Sequence, residues 1–249
     1  MKLHTATEKP LVTVVTVVFN DEAHIEKTIQ SVLRQSYSNI EYIIIDGAST
    51  DATCSIIEKY REKIDFFLSE KDKGVYDGMN KGIQLAKGEW IHFLNSGDVF
   101  YDENVISGVF NNYTDNGEST IYGDTIYYNP NENVKTRVVA RRVTNEPGSF
   151  MPSCHQSIFT RAVELKNYPF DLRYRVYADS NFYYELSKRN NKGLYTNSVI
   201  SIYDSTGLSS RNKNSRLWER FLMYFRHRDI KCVVFFLMYI KNLIVNKNV

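Results

Sequence analysis

The 249-residue chain predicts an α/β fold built on a parallel sheet flanked by helices. Three observations predict it. Through the first hundred residues, β-branched runs alternate with amphipathic helical patterns. Small polar residues and aspartates fall where those runs end. After Asp102 the alternation gives way to strand pairs joined by turn-rich segments. Strand and helix alternating at this pitch means βαβ units with right-handed crossovers.

The elements follow in order. Residues 11–18 (LVTVVTVV) form a run suited to a strand buried on both faces. Residues 23–34 place Ile25, Ile29, Val32 and Leu33 at the spacing of an amphipathic helix. Residues 40–45 (IEYIII) are strand-like and residues 53–60 helical. Residues 64–68 predict a third strand, residues 76–86 a third helix and residues 89–94 a fourth strand. Residues 121–128 and 134–140 then flank NPNEN and predict a hairpin, and NEPGSFMPS reads as a loop. Residues 178–188 look helical and residues 194–203 strand-like. No repeat or linker separates these parts. The expected organisation is one domain over residues 1–210, with halves at 10–105 and 106–210, followed by a helical segment at 211–249.

Hydrophobic residues make up 43% of the chain and charged residues 24%, the balance of an ordinary globular protein with a sizeable core. A net charge of +2 argues against nucleic acid as the main partner. The charge is unevenly spread: from Arg211 onward there are nine Lys or Arg against two acidic residues. Cys54, Cys154 and Cys232 are widely spaced, so neither a disulfide framework nor a zinc site is expected, and a reducing cytoplasm is the natural setting. The opening MKLHTATEKP lacks the apolar core of a secretory signal. The longest apolar run, residues 232–240, is about half of what a membrane span needs.

In a parallel sheet the loops after strands one, two and four emerge on one edge. Those loops are FNDE (19–22), DGAST (46–50) and NSGD (95–98), which puts Asp46 and Asp98 on one rim. Each aspartate alone reads as a turn or cap residue. Together, among small residues that let a ligand approach the backbone, they point to a binding edge. Neither GxGxxG nor GxxxxGK[ST] is present to hold phosphates on a helix N-terminus. A nucleotide bound here would need its diphosphate neutralised by other means, and a divalent cation on Asp98 is the candidate.

The strings VTVVTVVFNDEAHIEKTIQSVLRQSYSNIEYIIIDGASTDAT and SEKDKGVYDGMNKGIQLAKGEWIHFLNSGD resemble the nucleotide-binding half of family 2 glycosyltransferases, and more narrowly the bacterial enzymes of exopolysaccharide and capsule synthesis. The resemblance covers residues 10–105 and, more loosely, the stretch to about residue 205. It implies the GT-A fold, an inverting transfer from a nucleotide-sugar such as a UDP-sugar to a saccharide acceptor carried on a polyprenyl diphosphate, and Mg²⁺ or Mn²⁺ as cofactor. It also implies roles for particular positions. Val17, Phe19 and Asn20 match the wall that receives the base, and Asp46 the acid that bonds base or ribose. Asp72, Asp77, Asn80 and Lys81 match positions that touch the nucleotide and donor sugar. Asn95, Ser96 and Asp98 occupy the place of the family's DxD element, with Asp98 as its metal-binding carboxylate. The first Asp of that element is Asn95 here, an amide that can ligate but adds no charge.

Inverting transfer is an in-line displacement, so a base must take the acceptor hydroxyl's proton. By the resemblance this acid lies in YADSNFYYEL, which points to Asp179; the competing reading is a carboxylate favouring a helix N-terminus. PSCHQSIF matches the acceptor-side segment, where His155 either touches diphosphate or acceptor or is structural. Glu185 reads as a surface residue and Cys154 as a small packed one. The basic, apolar residues 217–245 suit either the interface of an anionic membrane or packing on the sheet or on another subunit. Two rivals stand beside the transferase. A sugar-nucleotide nucleotidyltransferase needs a basic glycine-rich loop after the first strand, where FNDEAH is acidic. A binding module without turnover would retain the fold but not need both Asp98 and a base.

Overall fold

A computed structural model describes residues 9–141, 152–189, 192–205 and 213–246. The N-terminal octet and most of the NEPGSFMPS segment lie outside them, as do residues 206–212. Four strands run parallel as expected: β1 (Val12–Val18), β2 (Ile40–Asp46), β3 (Phe66–Ser69) and β4 (Trp90–Phe93). Between them lie α1 (Ile25–Leu33), α2 (Thr53–Glu58) and α3 (Val75–Leu85). β1 is buried along its whole length, which is why its sequence is apolar without alternation. Its even and odd side chains enter two different apolar layers. Val15 and Val17 join Met79 and Ile83 of α3, while Val12, Val14 and Val18 join Ile25 and Ile29 of α1.

Helix α3 comes unusually close to β1. A Cβ at Gly82 would collide with Val15, and one at Gly78 would sit 2.7 Å from Val17 Cγ1. The two glycines, four apart, form one face that lets the helix backbone rest on the strand. That closeness brings Tyr76, at the first turn, over the sheet edge.

The second half completes a nine-stranded sheet in the order β3-β2-β1-β4-β8-β6-β9-β5, with β7 paired to β6 outside that path, among the described residues. β5 is Val99–Phe100, β6 Thr120–Asn129, β7 Val134–Val138, β8 Ile158–Arg161 and β9 Gly193–Asp204. The expected hairpin is β6–β7, antiparallel. β8 is an addition: it lies antiparallel between β4 and β6, so its preceding residues run past the C-terminal end of β4. Two short helices, α4 (Val105–Phe110) and α5 (Ala162–Asn167), also join the expected set. α6 (Ala178–Ser187) follows, and then α7 (Lys213–Arg226) and α8 (Lys231–Asn246). α7 is not a free extension. Met223 and Tyr224 sit in the same apolar layer as Phe182, Tyr183 and Tyr184 of α6. α8 packs on α7 but leaves Val233, Val234, Leu237 and Met238 exposed.

Candidate active site

A cavity of about 340 Å³ opens at the C-terminal ends of β1 and β4. This is where open α/β sheets bind ligands. Val17, Phe19 and Asn20 line it from the first strand and Asn95, Ser96 and Asp98 from the fourth, with His155 entering from the segment before β8. Hydrogen bonds tie the rim loops to one another. Asn20 Oδ1 accepts from Thr50 N at 2.8 Å, Ser49 Oγ accepts from Asn20 N at 2.7 Å, and Ser96 Oγ donates to Asp21 Oδ2 at 2.6 Å. Asn20 takes a left-handed φ of 47°, which asparagine tolerates better than most residues. The NSGD turn closes through Asp98 N donating to Asn95 O at 3.0 Å, and needs the φ of 96° at Gly97.

Asp98 is buried at the floor of the cavity. Its Oδ2 accepts from Gln156 Nε2 at 2.8 Å and its Oδ1 from Asp204 N at 3.1 Å. Burial pushes its pKa up to about 7 despite the Gln156 hydrogen bond, with the Asp204 charge adding a smaller push. A buried carboxylate at that value calls for positive charge nearby. Beside it, Asn95 Oδ1 is buried with no hydrogen-bond partner. Asp204, at the end of β9, borders the same space. Among the described residues no group of three or more His, Cys, Asp or Glu side chains forms a complete cage for a metal. One or two carboxylates, an amide oxygen and the oxygens of a substrate diphosphate are what a hard cation such as Mg²⁺ accepts, so the donor set fits a cation shared with a ligand.

Asp179 does not line the cavity itself. At the first turn of α6, its Oδ2 lies 3.0 Å from His155 Nδ1, while its Oδ1 accepts from Tyr76 Oη at 3.0 Å and from Ser180 N at 2.6 Å. His155 Nε2 in turn lies 3.2 Å from Asn95 Nδ2. A line of contacts thus runs from Tyr76 through Asp179 and His155 to Asn95. Burial and the Asp179 charge raise the Tyr76 hydroxyl well above its usual pKa, so it stays a donor.

Several expected ligand contacts lie off the cavity. Asp46 is fully buried and its oxygens accept from Ser49 N at 2.9 Å, Ser49 Oγ at 2.5 Å, Ser69 Oγ at 2.6 Å and Cys54 Sγ at 3.3 Å. Burial pushes its pKa up, but the serine and cysteine hydrogen bonds outweigh that and leave it below the usual range. With these donors around it, Asp46 shapes the DGAST loop. Asn80 brackets Phe170, donating to its O and accepting from its N at 2.9 Å each. Lys81 pairs with Glu70 at 2.9 Å and donates to Lys71 O at 3.1 Å. Asp77 accepts from Lys73 N at 3.1 Å. These three brace α3. Asp72 is nearer: its Oδ2 and the Phe19 ring both lie against the Cα of Gly47, where an added Cβ would meet them at 2.8 and 3.3 Å.

The sequence reading did not single out Gln156, Asp204, Tyr76 or Arg175, all of which line the cavity. Arg175 is exposed there, and its guanidinium has no hydrogen-bond or ion-pair partner among the described residues. Asp204 was open to the rule that found Asp98: it closes β9, as Asp98 lies in the loop after β4, at the same sheet edge. Glu185 pairs with His227 at 3.1 Å, and Cys154, whose thiol burial pushes up to about 11, contacts the Tyr127 hydroxyl.

Residues 13–169, more than half the chain, match the model of glycosyl transferase family 2. The chain belongs to glycosyl transferase family 2. It is therefore a glycosyltransferase, with the GT-A fold that the resemblance implied. Over 178 residues it is 30% identical to a PGL/p-HBAD biosynthesis glycosyltransferase of Mycobacterium bovis, covering 70% of this chain and 68% of that one. Over 93 residues it is 40% identical to TuaG of Bacillus subtilis, a putative teichuronic acid biosynthesis glycosyltransferase, covering 36% and 37% of the two chains. The fold is shared with S. aureus TarS in complex with UDP-GlcNAc, at a TM-score of 0.65, 16% identity and coverage of 86% of this chain and 66% of that one. It is also shared with the mannosyltransferase PcManGT of Pyrobaculum calidifontis in complex with GDP-Man and Mn²⁺, at a TM-score of 0.66, 15% identity and coverage of 90% and 66%. This chain thus spans about two thirds of the length of these structural neighbours.

Proposed function

We propose that this glycosyltransferase moves a sugar from a nucleotide-sugar, a UDP-sugar in the first instance, to a saccharide hydroxyl with inversion at the anomeric carbon. The observation that carries the reading is the pairing, across one cavity, of a buried carboxylate with an unpartnered amide oxygen (Asp98 and Asn95) and a His155–Asp179 couple. Val17, Phe19 and Asn20, with Asp72 beside them, receive the nucleoside. Asp98, Asn95 Oδ1 and Asp204 would hold Mg²⁺ or Mn²⁺. Such an ion offsets charge on the leaving diphosphate. Ser96 sits in the same turn and donates to Asp21, which keeps the loop closed under the diphosphate.

On the acceptor side, the incoming hydroxyl attacks the anomeric carbon as the bond to the diphosphate oxygen breaks, and its proton passes to the His155–Asp179 couple. His155 faces the cavity and Asp179 stands behind it, so the carboxylate that the resemblance assigns as base acts with the imidazole in front. Tyr76 fixes Asp179 through its hydroxyl.

The relatives are named for PGL/p-HBAD biosynthesis and, putatively, teichuronic acid biosynthesis, which supports a surface polysaccharide as product and a polyprenyl-diphosphate-linked saccharide as acceptor. No described helix is long and apolar enough to cross a membrane. The exposed apolar side of α8 supports peripheral contact with the cytoplasmic face of the membrane instead. A thermal-shift panel of UDP- and GDP-sugars, each with and without Mn²⁺, tests the reading. A ligand at 100 times its dissociation constant stabilises by about 2.7 kcal/mol. Stabilisation by UDP-sugars only when Mn²⁺ is present is the expected result; stabilisation by none of the nucleotides sinks it.

A further inference from the structure

The backbone that leads into α6 is held by a residue more than forty positions further along the chain. Glu219, in the middle of α7, is 7% exposed, and its carboxylate accepts from three successive backbone N–H groups: Arg175 at 3.1 Å, Val176 at 2.9 Å and Tyr177 at 3.2 Å. From the opposite side, Tyr76 Oη lies 2.8 Å from Val176 O. Arg175 and Val176 line the cavity, and Asp179 follows two residues after Tyr177. α6 has no side-chain cap of its own at Tyr177. The orientation of its first turn, where Asp179 sits, therefore depends on what grips the three residues before it. The turn that follows α7 is also tied to α6: His227 Nε2 lies 3.0 Å from Asn181 Oδ1, and Tyr184 Oη donates to Asp229 at 2.9 Å.

We propose that Glu219 is a positioning residue for the transfer reaction: its carboxylate holds residues 175–177 so that Arg175 and Val176 meet the substrate, and Asp179 backs His155, in working geometry. A carboxylate taken out of water is costly unless several donors satisfy it, and three converging N–H groups do so here. The same fold could be held by apolar side chains at this position, as it is at Leu217 and Met223 on the same helix. Glu219 instead fixes a backbone segment in direction as well as distance. A displacement of about 1 Å at the reacting groups can cost ~10²-fold in rate. The inference rests on the proposed role of the His155–Asp179 couple.

The test uses the full chain with Glu219→Gln, read by UDP release from UDP-sugars in Mn²⁺, by UDP affinity in calorimetry and by melting temperature. The amide retains one acceptor oxygen but turns an NH₂ toward an N–H. Turnover should fall roughly 10- to 100-fold while donor KM and UDP affinity stay within about twofold, the pattern of an interaction used only in the transition state. Turnover within about twofold of wild type, or a parallel loss of UDP affinity and turnover, overturns the proposal. If Glu219→Gln does not fold, Glu219→Asp, which keeps the charge and draws it back by one methylene, gives the same reading. Asp179→Asn run alongside separates the two claims: normal turnover in that variant removes the base assignment, whereas the Glu219 result reports on positioning alone.

Discussion

His155 Nδ1 and Asp179 Oδ2 lie 3.0 Å apart, and only the histidine of the two faces the cavity. Two groups that act as one unit do not contribute additively. Asp179→Asn should cut sugar transfer by ~10²–10⁴-fold, the usual worth of general base help, with donor affinity unchanged. His155→Ala should lose a similar amount. The double variant should be little worse than either single one. Additive losses, measured as transfer rates on one donor, would show that the two side chains work separately.

Gln156 Nε2 donates to Asp98 at 2.8 Å and fixes the direction in which the carboxylate faces the cavity. Orienting partners of metal ligands are typically worth ~10–100-fold in metal affinity. Gln156→Leu should therefore weaken Mn²⁺-dependent UDP binding by about that factor, and Asp98→Ala by at least as much. Asn95→Asp adds a carboxylate where a buried oxygen has no partner, so it should hold Mn²⁺ as well or better. Titration calorimetry of UDP at several Mn²⁺ concentrations checks all three, and an Asp98→Ala protein with an unchanged Mn²⁺ response would sink the assignment.

Asp98 and His92 make opposite demands on pH. Burial raises Asp98 to about 7, so between its unfolded value and that point the folded state holds a proton that the unfolded state has lost. Stability from this group falls as pH rises through that window. Burial lowers His92 to about 3, and there the unfolded state holds the extra proton below its ordinary value of 6.5. Stability from His92 is present above pH 6.5 and lost as pH falls toward 3. The two slopes oppose each other between about pH 4 and 6.5, each of order 1.4 kcal/mol per pH unit. In metal-free protein, the stability difference between Asp98→Asn and wild type should rise with pH across that window. For His92→Phe the difference should fall. Urea titrations at pH 4.5, 5.5 and 6.5 read the two trends, and two differences that change with pH in the same direction would contradict the burial of one of the groups.

The first half of the fold was legible because buried parallel strands leave unbroken β-branched runs and α1 and α3 are long enough to show a period. β5 has only two residues, and β8, α4 and α5 fall after the regular strand–helix alternation that located the equally short β3, β4 and α2. At the site, the strand-end rule located Asp98 and the surroundings of Asp46, but a position does not reveal an orientation. Ser49 and Ser69 turn the Asp46 carboxylate inward. The resemblance gives Asn80 and Lys81 roles at the nucleotide and donor sugar. In the structure they bind backbone at Phe170 and Lys71, partners that sequence spacing does not disclose. The grip of Glu219 on residues 175–177 was hidden for the same reason.

The outer face of α8 makes the last prediction. Val234 is 55% exposed and Leu237 61%; Phe225, in the last turn of α7, is 61% exposed and Ile230, between α7 and α8, 84%. Exposed Arg226 and Arg228 border this apolar surface, and α8 itself carries exposed Lys231 and Lys241. An apolar helix face with a basic border suits the interface of an anionic bilayer, where each Lys or Arg near the surface adds about 1 kcal/mol. The intact chain should sediment with vesicles containing phosphatidylserine, less so with pure phosphatidylcholine, and less again at high salt. Val234→Glu with Leu237→Glu should abolish that binding. Because both side chains already face water, the melting temperature should hold, whereas deletion from Trp218 onward should unfold the protein by stripping Glu219, Met223 and Tyr224 from the α6 layer. A wild-type chain that ignores the vesicles but forms dimers that the same double substitution splits would assign this face to a second copy of the protein.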